Sequence, residues 1–452
     1  MLKQQNSDWQ LSWPSITHPL FTNGVDIITV QQWQQQLQQV KAYIATQQGD
    51  TVLLYQGDSV LFSLWFMALC QLGKHIVLAP DNQALTLRLA MQHCDWQAPS
   101  SYPEPSEAND AIQSTLQLSC AIQLSSATKV SFFTSGSTGQ PKLVTKQLSQ
   151  LLLEVQTLQT QFAANFHPHI LFAGTVSYQH IYGLLFRMLW PLCFGYLQYR
   201  QQLSYLEQWQ DLLQRYQLVF IASPAHLARF DDIATLAPVA KRCLRIFSSG
   251  GPLADDIPSR YIQAIQQAPT EVFGSTETGG IAFRQRNIVD APWQVFSGIS
   301  ISQNDQQALQ VASPYLDGTG SFTTSDQVQL ISDNTFRLLG RLDRIVKIEE
   351  KRLSLPEIEQ YCLTSPLVAE VAAVVLQQPK IQLALAVVLT DVGDRVLKQQ
   401  GKIAINQQLK QHLLQRFERV MLPRKFRYVS ALPYNQLGKL PLMQLEALFY
   451  HD

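Results

Sequence analysis

A chain of 452 residues with 46% hydrophobic residues is too long for one ordinary core and can bury a large apolar area, so two or more folded domains are expected. Its 34 basic and 34 acidic residues cancel, which leaves no charge excess to draw in nucleic acid or an anionic membrane surface. The cysteines (Cys70, Cys94, Cys120, Cys193, Cys243, Cys362) show no zinc or dithiol spacing, Met1 to Gln10 lacks a signal peptide's apolar core, and the apolar runs Leu61 to Leu72 and Tyr182 to Tyr196 are too short for a bilayer, so reduced thiols, a cytoplasmic location and no membrane span are expected.

The first patterned stretch, Thr51 to Pro80, reads as a strand (Thr51 to Tyr55), an apolar helix (Val60 to Leu72) and a strand (His75 to Leu78), a parallel βαβ unit. The alternation resumes with a strand over Val130 to Phe133, a helix over Leu148 to Phe162, a strand over Ile170 to Phe172 and a helix over Ser204 to Gln214. Strands over Leu218 to Ile221 and Leu244 to Phe247 complete it. Over residues 293–339 the helical period gives way to short alternating runs, Ile299 and Ile301 then Leu309 and Val311, which predict a small β-subdomain. A fresh set follows, with strands over Val371 to Leu376 and Ile381 to Leu389, a helix over Lys402 to Glu418 and a strand over Phe426 to Val429. The expected fold class is α/β: a large N-terminal domain of wound α/β sheets over 1–342 and a smaller α+β domain over 343–452. The charged stretch Arg341 to Lys351 joins them.

The stretch Thr134-Ser135-Gly136-Ser137-Thr138-Gly139-Gln140-Pro141-Lys142 directly follows an apolar strand. Glycines let backbone N–H groups approach an anion, hydroxyls add donors and Lys142 adds positive charge, which together suit phosphate oxygens. The spacing is not that of a P-loop, because Gly139 comes too early for a Lys-Ser/Thr pair after the second glycine. Taken alone, such a run is more often a surface turn. It is followed in order by Tyr178-Gln179-His180-Ile181-Tyr182-Gly183, Ser248-Ser249-Gly250-Gly251-Pro252-Leu253 and Phe273-Gly274-Ser275-Thr276-Glu277. Then come Phe322-Thr323-Thr324-Ser325-Asp326, the segment Gly340 to Lys347, and Leu432-Pro433-Tyr434-Asn435-Gln436-Leu437-Gly438-Lys439. In this order the segments resemble the motifs of the AMP-forming acyl and aryl acid ligases, the adenylate-forming superfamily. Independent chance matches in the correct sequence multiply to a very small probability.

The resemblance implies a role for each match. Thr134, Ser135, Gly136, Ser137, Thr138, Gly139 and Lys142 would cradle the phosphates of ATP, and Gly250, Gly251 and Pro252 would form the adenine turn. Phe273 would lie against adenine, with Gly274 and Ser275 beside it, while Thr276 contacts phosphate and Glu277 helps hold Mg2+. Magnesium takes one or two carboxylates plus nucleotide oxygens, so Glu277 needs no protein co-ligand. Asp326 would accept the ribose hydroxyls in charge-assisted bonds, Arg341 would touch ribose or phosphate, and His180 would line the acid pocket. A lone His on an apolar stretch is otherwise more often structural. Asp343 is the implied hinge of a mobile C-terminal domain that carries Lys439, the catalytic cation. A carboxylate approaching the α-phosphate is repelled unless such a cation stands between them.

The implied activity is ATP-dependent conversion of a carboxylic acid to an acyl-adenylate with release of pyrophosphate, then transfer to a phosphopantetheine thiol. Glu350 stands two residues before Arg352, where the family commonly has Gly in the loop lining the pantetheine tunnel. With the short N-terminal region, this resembles ligases found beside fatty-acid-type or aryl-polyene synthases. It implies an acyl carrier protein as partner and an aryl (hydroxybenzoate-like) or medium-chain acid as substrate. An acyl- or aryl-CoA synthetase using free coenzyme A, an enzyme that stops at the adenylate or oxidises it, and a catalytically degenerate nucleotide-binding scaffold are the alternatives.

Overall fold

The computed structural model describes residues 1–5, 8–102, 119–135, 141–288, 290–318, 320–348, 351–376, 382–434 and 440–450. The chain's described residues form two compact units, one within Met1–Thr134, Pro141–Ile301 and Val311–Phe322, the other within Ser302–Gln310 and Thr323–Asp452.

In the first unit, Thr51–Leu54 and His75–Leu78 are parallel neighbours joined by the helix Ser59–Gln71, as the βαβ pattern predicts. Asp58 starts that helix by accepting the Leu61 N–H at 2.9 Å. Every residue from Ser59 to Cys70 is buried, so the helix is apolar all round because it lies inside the unit. One sheet has the strand order Pro141–Gln147, Lys129–Ser135, His75–Leu78, Thr51–Leu54, Trp96–Gln97. Another runs Trp293–Val295, Gly279–Gln285, Thr270–Ser275, Cys243–Ser248, Leu218–Ala222, Leu171–Gly174, Leu197–Tyr199, Pro19–Thr22, Ile27–Thr29. Its central strands pair in parallel, and Leu218–Ala222 is buried at every position, which is why it reads as an unbroken apolar run. The large domain of wound α/β sheets expected from the sequence is therefore present.

The adjacent strands Leu171–Gly174, Leu218–Ala222, Cys243–Ser248 and Thr270–Ser275 all point the same way, so their carboxyl ends share one edge. In open α/β sheets ligands bind outside that edge. The segments that leave it contain His180, Ser223, Gly250 and Glu277, so sheet topology alone gathers three of the sequence motifs.

In the second unit, Phe322–Ser332 and Thr335–Arg341 form an antiparallel hairpin. A three-stranded sheet of Val368–Leu376, Gln382–Leu389 and Lys425–Tyr428 buries Leu385, Val387 and Phe426 against Ile358 of the helix Leu355–Leu363 and Ile405 and Leu409 of Asp391–Leu413. The helix expected to start at Lys402 begins earlier, at Asp391, but Gly401 breaks it with φ 81 and ψ 170. Among the described residues no helix is long and apolar enough to cross a membrane, and all six thiols are free.

Candidate active site

The segment Phe273 to Glu277 forms the turn between the antiparallel strands Thr270–Ser275 and Gly279–Gln285. Gly274 is obligatory there, because a Cβ would stand 2.2 Å from the Gly279 carbonyl oxygen. Within the turn the Ser275 N–H donates to Thr278 Oγ1 at 3.0 Å, and Thr278 Oγ1 donates to the Gly279 carbonyl at 2.8 Å. Thr276 and Glu277 ride on top, half-buried, and the Glu277 carboxylate makes no hydrogen bond or salt bridge among the described residues. The Phe273 ring packs 5.4 Å from Trp293, which itself carries the Arg284 guanidinium 4.4 Å from its ring centre. The next parallel strand ends at Ser248, where Ser249 Oγ donates to the Val272 carbonyl at 2.9 Å and ties the two motifs together. Gly250 follows with φ +93, a conformation other residues adopt only under strain, and nothing lies within 4 Å of where its side chain would be. Exposed Gly251 and Pro252 continue this open turn.

His180 is the N-cap residue of a short helix, Ile181–Gly183, and its carbonyl accepts the Leu184 N–H at 2.8 Å. Its neighbours hold the backbone from both sides. The buried Gln179 amide donates to the Gln56 carbonyl at 2.6 Å, and the Tyr182 hydroxyl donates to the Ala222 carbonyl at 3.2 Å, at the end of its strand. Gly183 admits no side chain, since a Cβ would lie 2.0 Å from the Ser177 carbonyl oxygen. Buried Arg187 braces the same segment through the Val176 carbonyl at 2.8 Å and the Gln201 carbonyl at 2.5 Å.

In the hairpin of the second unit, Asp326 is directly opposite Arg341, and Arg341 Nη1 donates to Asp326 Oδ1 at 3.2 Å. Asp326, which the resemblance assigns to ribose, and Arg341, which it assigns to ribose or phosphate, are thus brought together by strand register. Asp343 lies in the short turn Leu342–Arg344, and its side chain is outside the description. Arg344, next in line, forms a fork with Glu359 at 3.0 and 2.7 Å, and Glu359 also accepts the Ala373 N–H at 2.6 Å. Exposed Lys142 is near the start of the strand Pro141–Gln147. Thr134 and Ser135 end the strand Lys129–Ser135 with side chains outside the description, and Gly136, Ser137, Thr138, Gly139 and Lys439 lie outside the described residues altogether.

Two family models match the chain. Residues 101–304 match the family model of the AMP-binding enzyme, and residues 357–439 match that of the AMP-binding enzyme C-terminal domain. The chain belongs to the AMP-binding enzyme family. A 4-coumarate–CoA ligase of Rhodobacter capsulatus is 26% identical over 242 residues, 52% of this chain and 57% of that protein. A D-alanine–D-alanyl carrier protein ligase of Staphylococcus aureus is 28% identical over 206 residues, 43% of this chain and 40% of that protein. The chain thus spans about half the length of these two curated relatives. The fold superposes on ATP-bound MatB from Rhodopseudomonas palustris with a TM-score of 0.75 at 17% identity, covering 97% of each chain.

Set on this AMP-binding fold, Lys146 and Glu154 are residues near the site that sequence reasoning missed. Lys146, 4% exposed, donates from Nζ to the carbonyl of Glu277 and, at 2.8 Å, to that of Tyr315. Burial pulls its ammonium below the usual lysine range, against the pull of Glu154, Asp317 and Glu277. Glu154, also 4% exposed, accepts the Gly280 N–H at 2.7 Å, and burial pushes its carboxyl up to about 7. The signal available was spacing: Lys146, Gln150 and Glu154 recur every four residues into the helix Leu148–Phe162, where Glu154 stands between the apolar Leu153 and Val155.

Proposed function

We propose that the chain is an AMP-forming acid–thiol ligase, which converts a carboxylic acid and ATP to an acyl-adenylate and pyrophosphate and then passes the acyl group to a phosphopantetheine thiol. The observation that carries this reading is the edge where parallel strands end: the open Gly250 turn, the fixed Glu277 turn and the His180 segment all leave from it. A flat base can approach the backbone at Gly250 and Gly251 because no side chain stands there. Glu277 would help hold magnesium, which when bound neutralises polyphosphate charge, and Thr276 would contact phosphate. A carboxylate with no hydrogen-bonded partner among the described residues suits an ion that takes its remaining oxygens from the nucleotide.

Lys439 is assigned to stand between the acid's carboxylate and the α-phosphate, and His180 to border the acid. The functional domains are taken as 1–342 and 343–452, with rotation at Asp343. The Arg344–Glu359 fork supports that hinge, since it ties the first residue beyond Asp343 to the helix Leu355–Leu363. Turning at Asp343 then withdraws Lys439 after adenylation and presents the loop around Glu350 to the thiol.

The acceptor we favour is a carrier protein, with an aryl or medium-chain acid as substrate, acting in the cytoplasm. Glu350 in place of a small residue supports it, and one relative is named as a carrier protein ligase. Free coenzyme A is the second reading, favoured by the relative named as a CoA ligase. Thioester formation measured with purified protein, ATP, magnesium and a cognate acid separates them. Faster turnover on the holo-carrier protein than on free coenzyme A is expected, and equal turnover overturns the carrier assignment.

A further inference from the structure

The turn that carries Thr276 and Glu277 is gripped from below by charged groups that touch no assigned ligand. Lys146 comes from the strand Pro141–Gln147, four residues after Lys142, and Glu154 from the helix that follows. A lysine normally runs its stem along the surface and leaves its ammonium in water. Lys146 instead buries the ammonium on two carbonyls, one of them that of Glu277 itself. Desolvating a charge is unfavourable unless its donors are satisfied, so the side chain is committed to those oxygens. On the far side of the turn, Glu154 Oε1 takes the Gly280 N–H. Gly279, at φ +71, and Gly280 make room for it: a Cβ on Gly279 would come within 2.7 Å of Glu154 Oε2, and one on Gly280 within 2.9 Å of Oε1. The same helix face anchors the Tyr315 side of the bracket, through Gln150 Nε2 to Asp317 Oδ1 at 3.0 Å and the Tyr315 hydroxyl to Thr157 Oγ1 at 2.6 Å.

We infer that Lys146 and Glu154 are positioning residues for the Ser275–Gly280 turn. By fixing the Glu277 carbonyl and the Gly280 N–H they set the direction of the Glu277 carboxylate, and hence the magnesium-dependent part of nucleotide binding. The inference rests on the reading of Glu277 as the magnesium carboxylate. It also makes the strand Pro141–Gln147, which begins with the last residues of the first phosphate motif, a support of the second.

Calorimetric binding of ATP to the full chain, with and without magnesium, tests this on the wild type, Lys146→Met and Glu154→Gln, with thermal unfolding followed in parallel. Magnesium tightens ATP binding by the wild type. In Lys146→Met that gain falls roughly tenfold, and in Glu154→Gln roughly twofold to threefold, while magnesium-free ATP binding stays within about twofold of wild type. Should Lys146→Met fail to fold, Glu154→Gln decides by the same criterion, since its amide oxygen still accepts the Gly280 N–H. A retained magnesium gain, or a parallel fall of both affinities, overturns the positioning role. A wild type that binds ATP without regard to magnesium strikes instead at the assignment of Glu277, and the two failures are told apart.

Discussion

Glu277 and Asp326, the two carboxylates assigned to the nucleotide, are held in opposite ways. Glu277 stands on a turn whose backbone is fixed by a buried ammonium and a buried carboxylate, while its own carboxylate takes no hydrogen-bond partner among the described residues. Asp326 stands on a hairpin strand and takes Arg341 as partner, whose side chain is 48% exposed. Breaking a buried charged network costs about 3–5 kcal/mol, whereas an exposed ion pair contributes about 0–1 kcal/mol. One carboxylate is therefore preorganised through its backbone at a cost spread over the core, and the other through a pair that a ribose can open cheaply. Preorganisation suits a group that meets a hard cation, and an exchangeable partner suits one that meets neutral hydroxyls.

The largest expected effect sharpens this contrast by removing the third charged group. Lys439→Ala should cut adenylation by on the order of a hundredfold or more, while thioester formation from supplied acyl-adenylate persists. Equal loss of the two half-reactions, measured separately, contradicts a cation that acts in only one of them.

Breaking the fixed turn comes next. Gly274→Ala forces a Cβ to 2.2 Å from the Gly279 carbonyl oxygen, so the chain should lose roughly 1–3 kcal/mol in denaturant unfolding, and ATP binding with it. Asp326→Ala attacks the exchangeable side. Stability should change by less than about 1 kcal/mol while the KM for ATP rises roughly tenfold. A large stability loss in Asp326→Ala would erase the distinction between the two carboxylates.

The smallest effect concerns pH. Burial raises the Glu154 carboxyl from 4.5 to about 7, against the Gly280 N–H and Lys146, with the Tyr315 hydroxyl also facing it. The folded chain then holds a proton that the unfolded chain has released, so stability declines as pH rises through the window from 4.5 to about 7. Glu154→Gln should flatten that decline in thermal unfolding followed from pH 5 to pH 8, and an unchanged slope would show that Glu154 is not its source.

Much of the fold was legible because unbroken apolar runs mark the elements buried on every side and a clear helical period marks those buried on one. The helix Leu148–Phe162 has the ends its apolar spacing predicts, and Leu218–Ala222 differs from expectation by one residue. The N-terminal strands Leu2–Gln5 and Asp8–Ser12 were not anticipated: their amide-rich composition reads as a polar tail, although pairing with Ala121–Leu124 buries Trp9 and Leu11. Strands as short as Leu197–Tyr199 leave too few residues for a period. At the site, motifs with glycines were readable because backbone geometry dictates them, as at Gly274 and Gly250. The Asp326–Arg341 pair required strand register, and Lys146 and Glu154 required knowledge of which carbonyl and N–H lay opposite, which depends on residues more than a hundred positions away.

Joining of a carboxylic acid to AMP is the step on which the proposed chemistry depends, and isotope exchange between pyrophosphate and ATP measures that step alone. Screened across aryl and fatty acids of graded length with magnesium and no thiol present, the wild type should exchange label with a subset of acids and not without acid. Lys439→Ala should exchange little with the same subset. A protein that binds ATP yet exchanges no label with any acid would contradict the account and leave a nucleotide-binding scaffold in its place.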